Sequence, residues 1–514
     1  MNTTMSPEFI PTANSEDNIV VLEIRISWRH QYGAYEERDN LVGFNFTLPG
    51  SASFNSLTTQ QATTFGSITL FNKDYRYTPD RISSEYIGVD DELWDYIRAI
   101  PEDGFKILIK GGFKYPSLWE ELVTIYNGRV IDYSHNETSN TVTWTLVDLT
   151  WQALQQKNST VVFSGMDYSE ISTQYKSETY NPIGGVGGSQ RTHHVWMDDD
   201  SFMNDMFKLS NSTLGYRYDN PRGISPHFLS LDEIYVDNRD DNDLMTPLFY
   251  FDPNHSYSDI ESRTNINNRP TEIIANFSPR YAGSQQLLFE LDEPLTVAAA
   301  ESDIVSTSKT FYLKSSQPMY NVFQPVLGEN YAITSGVGLN MKDFVTVDFS
   351  FAAQQVTVTM TNTHPYHNGI MRYLTVYGNP VYGSPSGREK KFYDTGTGFK
   401  RSRSVGDPFY VQTRSHAKWL TDILYDRIPY IISTRRVSSV PPLFYLDVGD
   451  LVEYKLVNGA EKIKAIIGSV STNYDGEKVL QDFVLIDYKF LYPAPDENYF
   501  ALGDSLDDNK VVFY

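Results

Sequence analysis

A chain of 514 residues is too long for one ordinary core, so about three or four domains is the expectation. Its formal net charge of −23, from 65 acidic and 42 basic residues, repels nucleic-acid phosphates and anionic membranes and argues against a binder of either. The absence of cysteine excludes a disulfide framework, a thiolate zinc site and a cysteine nucleophile.

Hydrophobic residues at 40% and charged residues at 21% fit a soluble chain with packed cores. The aromatic share of 14%, with 36 Tyr and 29 Phe beside many Val, Ile and Thr, favours strands over helices. The opening "MNTTMSPEFIPTANSEDN" has neither the basic nor the apolar region of a signal peptide. No apolar run reaches the roughly 20 residues of a membrane span. An acidic surface suits a component stored beside other proteins, or a channel wall along which a polyanion slides without sticking.

In chain order, residues 1–17 are Pro/Ser/Asn-rich and read as an arm. "NIVVLEIRIS" from Asn18, "LVGFNFTLPG" (41–50) and "FGSITLFN" (65–72) read as strands. "DDELWDYIRAIP" (90–101) is a short helix at best, stopped by Pro101. Strands resume at 105–113 and 121–151, where Asn127-Gly128 signals a hairpin turn. "TVTWTLVD" (141–148) alternates strictly, with Val142, Trp144 and Leu146 on one face.

Beyond residue 150 the composition changes. "SETYNPIGGVGGSQRTHH" (177–194) reads as a flexible connection into a short helix capped by Asp200 or Ser201, with Phe202, Met203, Met206 and Phe207 as its buried side. "TEIIANFSP" (271–279) is a strand, and "DFVTVDFSFAAQQVTVTMTNT" a sandwich hairpin pair. Residues 378–408 read as a long irregular segment, mobile over 387–403. The strongest helix follows at 411–428, with Ala417, Leu420, Leu424 and Ile428 at helical spacing and Pro429 as its stop. Asn458-Gly459 and Asp475-Gly476 mark tight turns among closing strands, and the last residues are acidic and irregular.

No catalytic, cofactor or metal site emerges. His193-His194 precede Asp198, Asp199 and Asp200, but adjacent histidines point apart and the aspartates sit where a helix start favours negative charge. His364 and His367 flank Pro365 outside any helix and read as a turn, not as metalloprotease ligands. "DNRDDND" (237–243) lacks the glycine and distal glutamate of a calcium loop, and "GGVGGSQ" (184–190) fits neither a P-loop nor a dinucleotide fingerprint. The basic island Arg388, Lys390, Lys391, Lys400, Arg401 and Arg403 reads as a contact for an acidic protein face or as a solvated loop.

The stretch "FGSITLFNKDYRYTPD" (65–80) resembles the first-barrel signature of phage tail hub (baseplate hub) proteins: a strand, an Asn/Asp turn, an aromatic return and a proline. "VTIYNGRVIDYSHNETSNTVTWTLVDLTW" is similar to the next hairpin of that family. "QTRSHAKWLTDILYDRIP…PPLFYLDVGDLVEY", with Gly449-Asp450, resembles its closing unit, and the middle of the chain resembles the inserted sandwich of some hubs. The order of these motifs carries the resemblance.

The resemblance implies a mainly β, multidomain chain with antiparallel β-barrel or sandwich modules and a few short helices. The expected division is an arm (1–17), a first tube-like β-barrel (18–150), a linker with a short helix and a second β-rich domain (151–300), a β-sandwich-like insertion (301–382), a helix plus closing barrel-like domain (383–493) and an acidic tail (494–514). It further implies a non-enzymatic homotrimer at the virion tail tip, made in the host cytoplasm. That ring would meet tail tube and distal tail proteins, the tape measure protein and tail fibre or tip proteins, without cofactor or specific nucleic-acid binding. The aromatic excess keeps a host-surface carbohydrate binder open, and the many carboxylates a polysaccharide-degrading enzyme.

Overall fold

The computed structural model describes residues 19–28, 31–36, 41–49, 65–72, 77, 105–114, 120–148, 151, 155, 157–179, 191–213, 216–218, 227–229, 247–252, 259–263, 270–301, 303–313, 317–392, 400–427, 434–455 and 462–487. Within them the chain is mainly β and multidomain, with several sheets and three helices. The expected helix at 90–101, the loops at 184–190 and 237–243 and the turn at Asn458-Gly459 lie outside the described residues.

The first seven strands among the described residues are β1 (Ile19–Trp28), β2 (Gln31–Glu36), β3 (Leu41–Pro49), β4 (Phe65–Phe71), β5 (Phe105–Lys114), β6 (Glu120–Asn136) and β7 (Thr141–Val147). They pair antiparallel in the order β2-β1-β5-β6-β7-β4-β3. Strict alternation in β7 buries Val142, Trp144 and Leu146. Tyr77 and Phe105 meet the Trp144 ring edge-on, with centroids 5.4 and 5.0 Å away. Asn72 delivers that tyrosine: its Oδ1 accepts the Tyr77 N–H at 2.8 Å, while its own N–H donates to the Asn140 carbonyl at 2.7 Å. The Asn72 side chain thus pins an aromatic residue, Tyr77, into the core.

Asn127-Gly128 is not a hairpin turn. Both residues lie inside β6, opposite Leu108 and Ile107 of β5. A Cβ on Gly128 would stand 2.3 Å from the Val147 carbonyl oxygen and 2.5 Å from Tyr126 Oη, so the glycine serves a close approach instead of a reversal. The chain reverses at 137–140, where Asn136 Oδ1 accepts the Thr138 and Ser139 N–H groups and Asn140 takes φ 51°.

Among the described residues these strands do not close on themselves into a barrel. The far edge of β3 pairs with Lys462–Tyr474, and the sheet continues through Val479–Asp487 and Thr434–Val440 to Asp259–Arg263. Leu451–Lys455 joins off this path and carries Phe249–Phe251 in parallel, making one sheet of 13 strands. One core runs under it, from Phe46 and Trp144 to Leu424, Leu451 and Phe483.

A second core belongs to a sandwich. Its long strand Gly369–Gly383 pairs with Arg280–Ala282, Gln286–Glu290, Leu295–Val297, Met319–Tyr320 and Tyr331–Thr334. The other sheet is Val305–Tyr312, Gln355–Asn362 and Val345–Ala352, the last two forming the expected hairpin. Val356, Val358 and Met360 from this sheet pack with Met371, Leu374 and Val376 from the other.

Residues 378–408 are not irregular throughout. Gly369–Gly383 runs into the segment, and Gly387–Phe392 and Ser402–Val405 flank Glu272–Phe277 as a three-stranded sheet. The charges of Arg388, Glu389, Lys390 and Lys391 hide a strand whose apolar partner is more than a hundred residues away in sequence. Among the described residues three helices accompany the sheets: α1 (Tyr168–Thr179), α2 (Phe202–Thr213) and α3 (Arg414–Arg427). A reciprocal capping box starts α1, with Asp167 Oδ1 accepting the Glu170 N–H and Glu170 Oε2 accepting the Asp167 N–H. Ser201 Oγ caps α2 through the Asn204 N–H, and Phe202, Met203, Met206 and Phe207 are buried as expected. On α3, Ala417, Leu420 and Leu424 face the core. No helix among the described residues is long and apolar enough to cross a membrane.

Candidate functional site

The first feature with functional reach is the seam between β3 and Lys462–Tyr474. Six residue pairs, from Phe44↔Tyr474 to Pro49↔Ser469, align here in unbroken register. Thr47 Oγ1 and Ser471 Oγ meet at 2.8 Å although 424 positions separate them in sequence. The Phe44 and Tyr474 rings pack at 5.7 Å. Asp475-Gly476 then turns the chain: Asp475 Oδ1 accepts the Glu477 and Lys478 N–H groups, and Gly476 takes φ 95°. Segments more than four hundred positions apart in sequence thus form one hydrogen-bonded surface.

The second feature is a buried polar cluster where the helices meet the root of the sandwich. Gln412 spans it, its Oε1 accepting the His193 and His194 N–H groups while its Nε2 donates to the carbonyls of His194 and Phe409. The Arg280 guanidinium lies 3.8 Å from the Phe409 ring centroid and 4.8 Å from that of Trp196. It donates to the same two carbonyls at 3.2 and 3.1 Å, and burial lowers its pKa to about 10. Tyr175 and Tyr410 share a hydroxyl contact at 3.3 Å, and the Tyr410 hydroxyl donates to Asp205 at 3.2 Å. Burial, then the Asp205 charge, pushes both phenols well up, so they stay neutral donors.

His416 closes the cluster. Its Nε2 lies 2.8 Å from the Ser212 carbonyl oxygen and its Nδ1 3.2 Å from Tyr168 Oη. The carbonyl requires a proton on Nε2, which leaves Nδ1 as an acceptor in the neutral ring. Burial pulls its pKa down to about 4, against the opposing pull of the Ser212 carbonyl. These groups hold elements together; they present no nucleophile with its base.

The other sequence candidates disperse. The His194 ring packs at 5.0 Å on Tyr320, while His193 is exposed. Asp198–Ser201 forms a strand beside Lys157–Ser159. His364 and His367 sit in a turn, where His364 Nδ1 accepts the Tyr366 and His367 N–H groups, both at 3.1 Å. Among the described residues no group of three or more His, Asp or Glu has the arrangement to hold a metal ion.

Four members of the basic island, Arg388, Lys390, Lys391 and Arg403, lie on one small sheet and are split by its pleat. Lys391 and Arg403 stand opposite Ile273 on the face beside α3, where Lys391 Nζ bonds Asp422 at 2.7 Å and lies 4.5 Å from the Tyr425 ring centroid. Lys390 falls on the other face, 3.3 Å from Glu272, and Arg388 donates to Asn276. The Ser402 hydroxyl, with help from Lys390, holds the Glu272 carboxyl below the usual range. Lys390 and Lys391 are therefore already matched by carboxylates within the chain.

No family model matches the chain, and no curated protein matches it. Solved structures do. A tail protein of Neisseria meningitidis MC58 aligns at 7% identity and TM-score 0.47, over 92% of this chain and 98% of that one. A 43 kDa tail protein of prophage MuSo2 from Shewanella oneidensis aligns at 8% identity and TM-score 0.47, over 91% and 98%. An Escherichia coli type VI secretion component, described as similar to bacteriophage T4 tail proteins, aligns at 8% and TM-score 0.36, over 91% and 78%. The similar structures are phage tail and type VI tail-like proteins, and a resemblance at TM-scores below 0.5 decides neither partner nor site.

Proposed function

We propose that the chain is a structural protein of a phage tail tip, a hub whose trimeric ring adapts a six-fold tail tube to three-fold tip components and lines part of the DNA ejection channel. The observation that supports this is the seam: strand modules from the two ends of the chain merge into one 13-stranded sheet, with the sandwich strands in separate sheets between them. Two such modules per subunit, repeated three times, supply six similar positions to a six-fold tube. The motif order along the sequence supports the same reading, and the net charge of −23 suits a DNA conduit that must not bind its cargo. Partners under this reading are tail tube and distal tail proteins, the tape measure protein and tail fibre or tip proteins.

Negative-stain class averages of the purified chain test it, with and without tail-tube protein. A three-fold ring, alone or on the tube, is the expected result. Compact single particles that ignore the tube would overturn it. A second reading, a glycan binder, is favoured by one observation: the sandwich carries exposed tyrosines at Tyr281, Tyr312 and Tyr366, the last 84% exposed. Glycan-array signal lost on Tyr366→Ala would support that reading. Release of reducing ends from host wall material, abolished by one carboxylate substitution, would instead establish an enzyme.

A further inference from the structure

The three-stranded sheet of the sandwich has two edges that pair with nothing among the described residues, and they are not alike. On both sides of the central strand Gln355–Asn362 the register is one-to-one, so Lys309 and Phe349 stand opposite the same residue, Val358. Val358 is fully buried, which places Lys309 and Phe349 on the core-facing side of their strands. The lysine escapes past the rim, with Nζ 5.0 Å from the Phe311 ring centroid. A charged side chain facing inward on an edge strand blocks a further strand from docking. The edge Val305–Tyr312 is guarded.

The opposite edge, Val345–Ala352, reads V-T-V-D-F-S-F-A and has no such guard. It contains no proline and no inward charge, and its pairing with Gln355–Asn362 shows no bulge. Its core-facing Val347, Phe349 and Phe351 are apolar and only half-buried. The Thr363 N–H donates to the Phe344 carbonyl directly opposite, which sets the alternation of the ladder. Thr346, Asp348 and Ser350 then bond inward to the central strand, while Val347, Phe349 and Phe351 turn their N–H and C=O groups outward. The edge offers a row of main-chain donors and acceptors above an unfinished apolar row.

We propose that Val345–Ala352 is a self-pairing surface that joins two copies of this chain by antiparallel strand addition, in a register centred on Phe349. Its own alternation supplies the strand that the edge requires. In this register Phe349 faces the partner's Phe349, Val347 faces the partner's Phe351 and Asp348 faces the partner's Ser350. Val347, Phe349 and Phe351 are all used, the Val345 N–H already donating to the Met341 carbonyl, and no like charges oppose each other. Centring on Asp348 would instead set two carboxylates face to face. For a chain of net charge −23, an edge strand with Asp348 as its single charge is a suitable place for two copies to approach. The pairing is independent of the tail reading, since a two-fold contact on the sandwich leaves the 13-stranded sheet untouched.

The chain has no cysteine, so introduced cysteines report the register directly. Full-length Asp348→Cys and Ser350→Cys variants are oxidised separately and as a mixture, then run on non-reducing gels. Opposed positions approach to about 4.5 Å between Cα atoms, while equal positions lie on a diagonal of roughly 7–8 Å, outside easy disulfide reach. The expected result is a covalent dimer in the mixture and little in either variant alone. Sedimentation equilibrium should show the matching loss when Val347→Lys supplies the missing guard, a rise in the dimer Kd of at least about tenfold. No dimer in the mixture, or equal dimer in all three samples, would overturn the proposal whatever Val347→Lys does.

Discussion

Two strands with nearly the same sequence pattern have different fates in this protein. β7, T-V-T-W-T-L-V, and the sandwich strand Gln355–Asn362, Q-V-T-V-T-M-T-N, each bury every second residue and turn threonines to the other face. Each is flanked on both sides, and each carries hydroxyl contacts across its polar face: Thr69 with Thr143 at 3.1 Å in one, Ser308 with Thr359 at 3.0 Å in the other. Beyond the first neighbours they diverge. The sheet around β7 runs on to the far end of the chain, over a core rich in interlocked aromatic rings. Among the described residues the sheet around Gln355–Asn362 has one strand on either side, over a core mostly of Val, Met and Leu with Phe289 and Ile333. Alternation sets which face is apolar; the neighbours decide whether a strand ends up in a seam or beside a rim.

The largest expected effect tests whether these two cores are separate. Trp144→Ala should cost about 3–5 kcal/mol and lower hydrogen-exchange protection in β7 and in Lys462–Tyr474 together, because both strands line one core. Met360→Ala should cost about 2–5 kcal/mol, with the protection loss confined to the sandwich. Matching losses in both regions from either variant would dissolve the contrast.

Acid sharpens it at the helical cluster. The His416 ring titrates near 6.5 when unfolded and at about 4 in the native chain. The unfolded chain therefore binds the proton more readily, so this contribution is complete above pH 6.5 and lost as the pH falls towards 4. Denaturation curves across that window should show a loss of about 3 kcal/mol, and His416→Gln should flatten the slope. An unchanged slope in the variant would assign the acid sensitivity to other groups.

A smaller effect is expected where the cluster grips the sandwich root. Arg280→Met removes the cation from between Trp196 and Phe409 and leaves the His194 and Phe409 carbonyls short of a donor, at about 1–3 kcal/mol. Trp196 fluorescence should shift with it, and Arg280→Lys should restore little, since an ammonium cannot reproduce the planar fork. Smallest of all, Thr359→Val on the exposed hydroxyl face should change stability by no more than about 0.5 kcal/mol. A larger loss would mean that this polar face has an unrecognised structural duty.

Much of the fold was legible one strand at a time. The alternation of 141–148, the hairpin within 344–363 and the helical spacing of Ala417, Leu420 and Leu424 all lie in local sequence, because side-chain direction follows backbone period. Ser201 as a cap was legible for the same reason. The α1 start is also local, as D-Y-S-E at 167–170 spells a capping box. Asn127-Gly128 misled, because a glycine needed for close approach and one needed for a turn look identical in sequence. The charged strand Gly387–Phe392 misled because its apolar partner, Glu272–Phe277, is remote. No local pattern marks the polar cluster: Arg280, Gln412 and His416 stand apart in sequence until folding brings them around Phe409 and Tyr410.

By itself the sequence determined that the chain is mainly β, which residues face inward in its strictly alternating strands, where its best helix lies and that cysteine chemistry plays no part. These follow from composition and from short-range periodicity, which a chain carries before it folds. Only the tertiary structure decided that β3 finds Lys462–Tyr474, that the basic island is split between two faces, and that one sandwich edge has a guarding lysine while the other has none. Each of these depends on which remote segments pair and in what register, and a one-residue slip in register would exchange every inward and outward side chain.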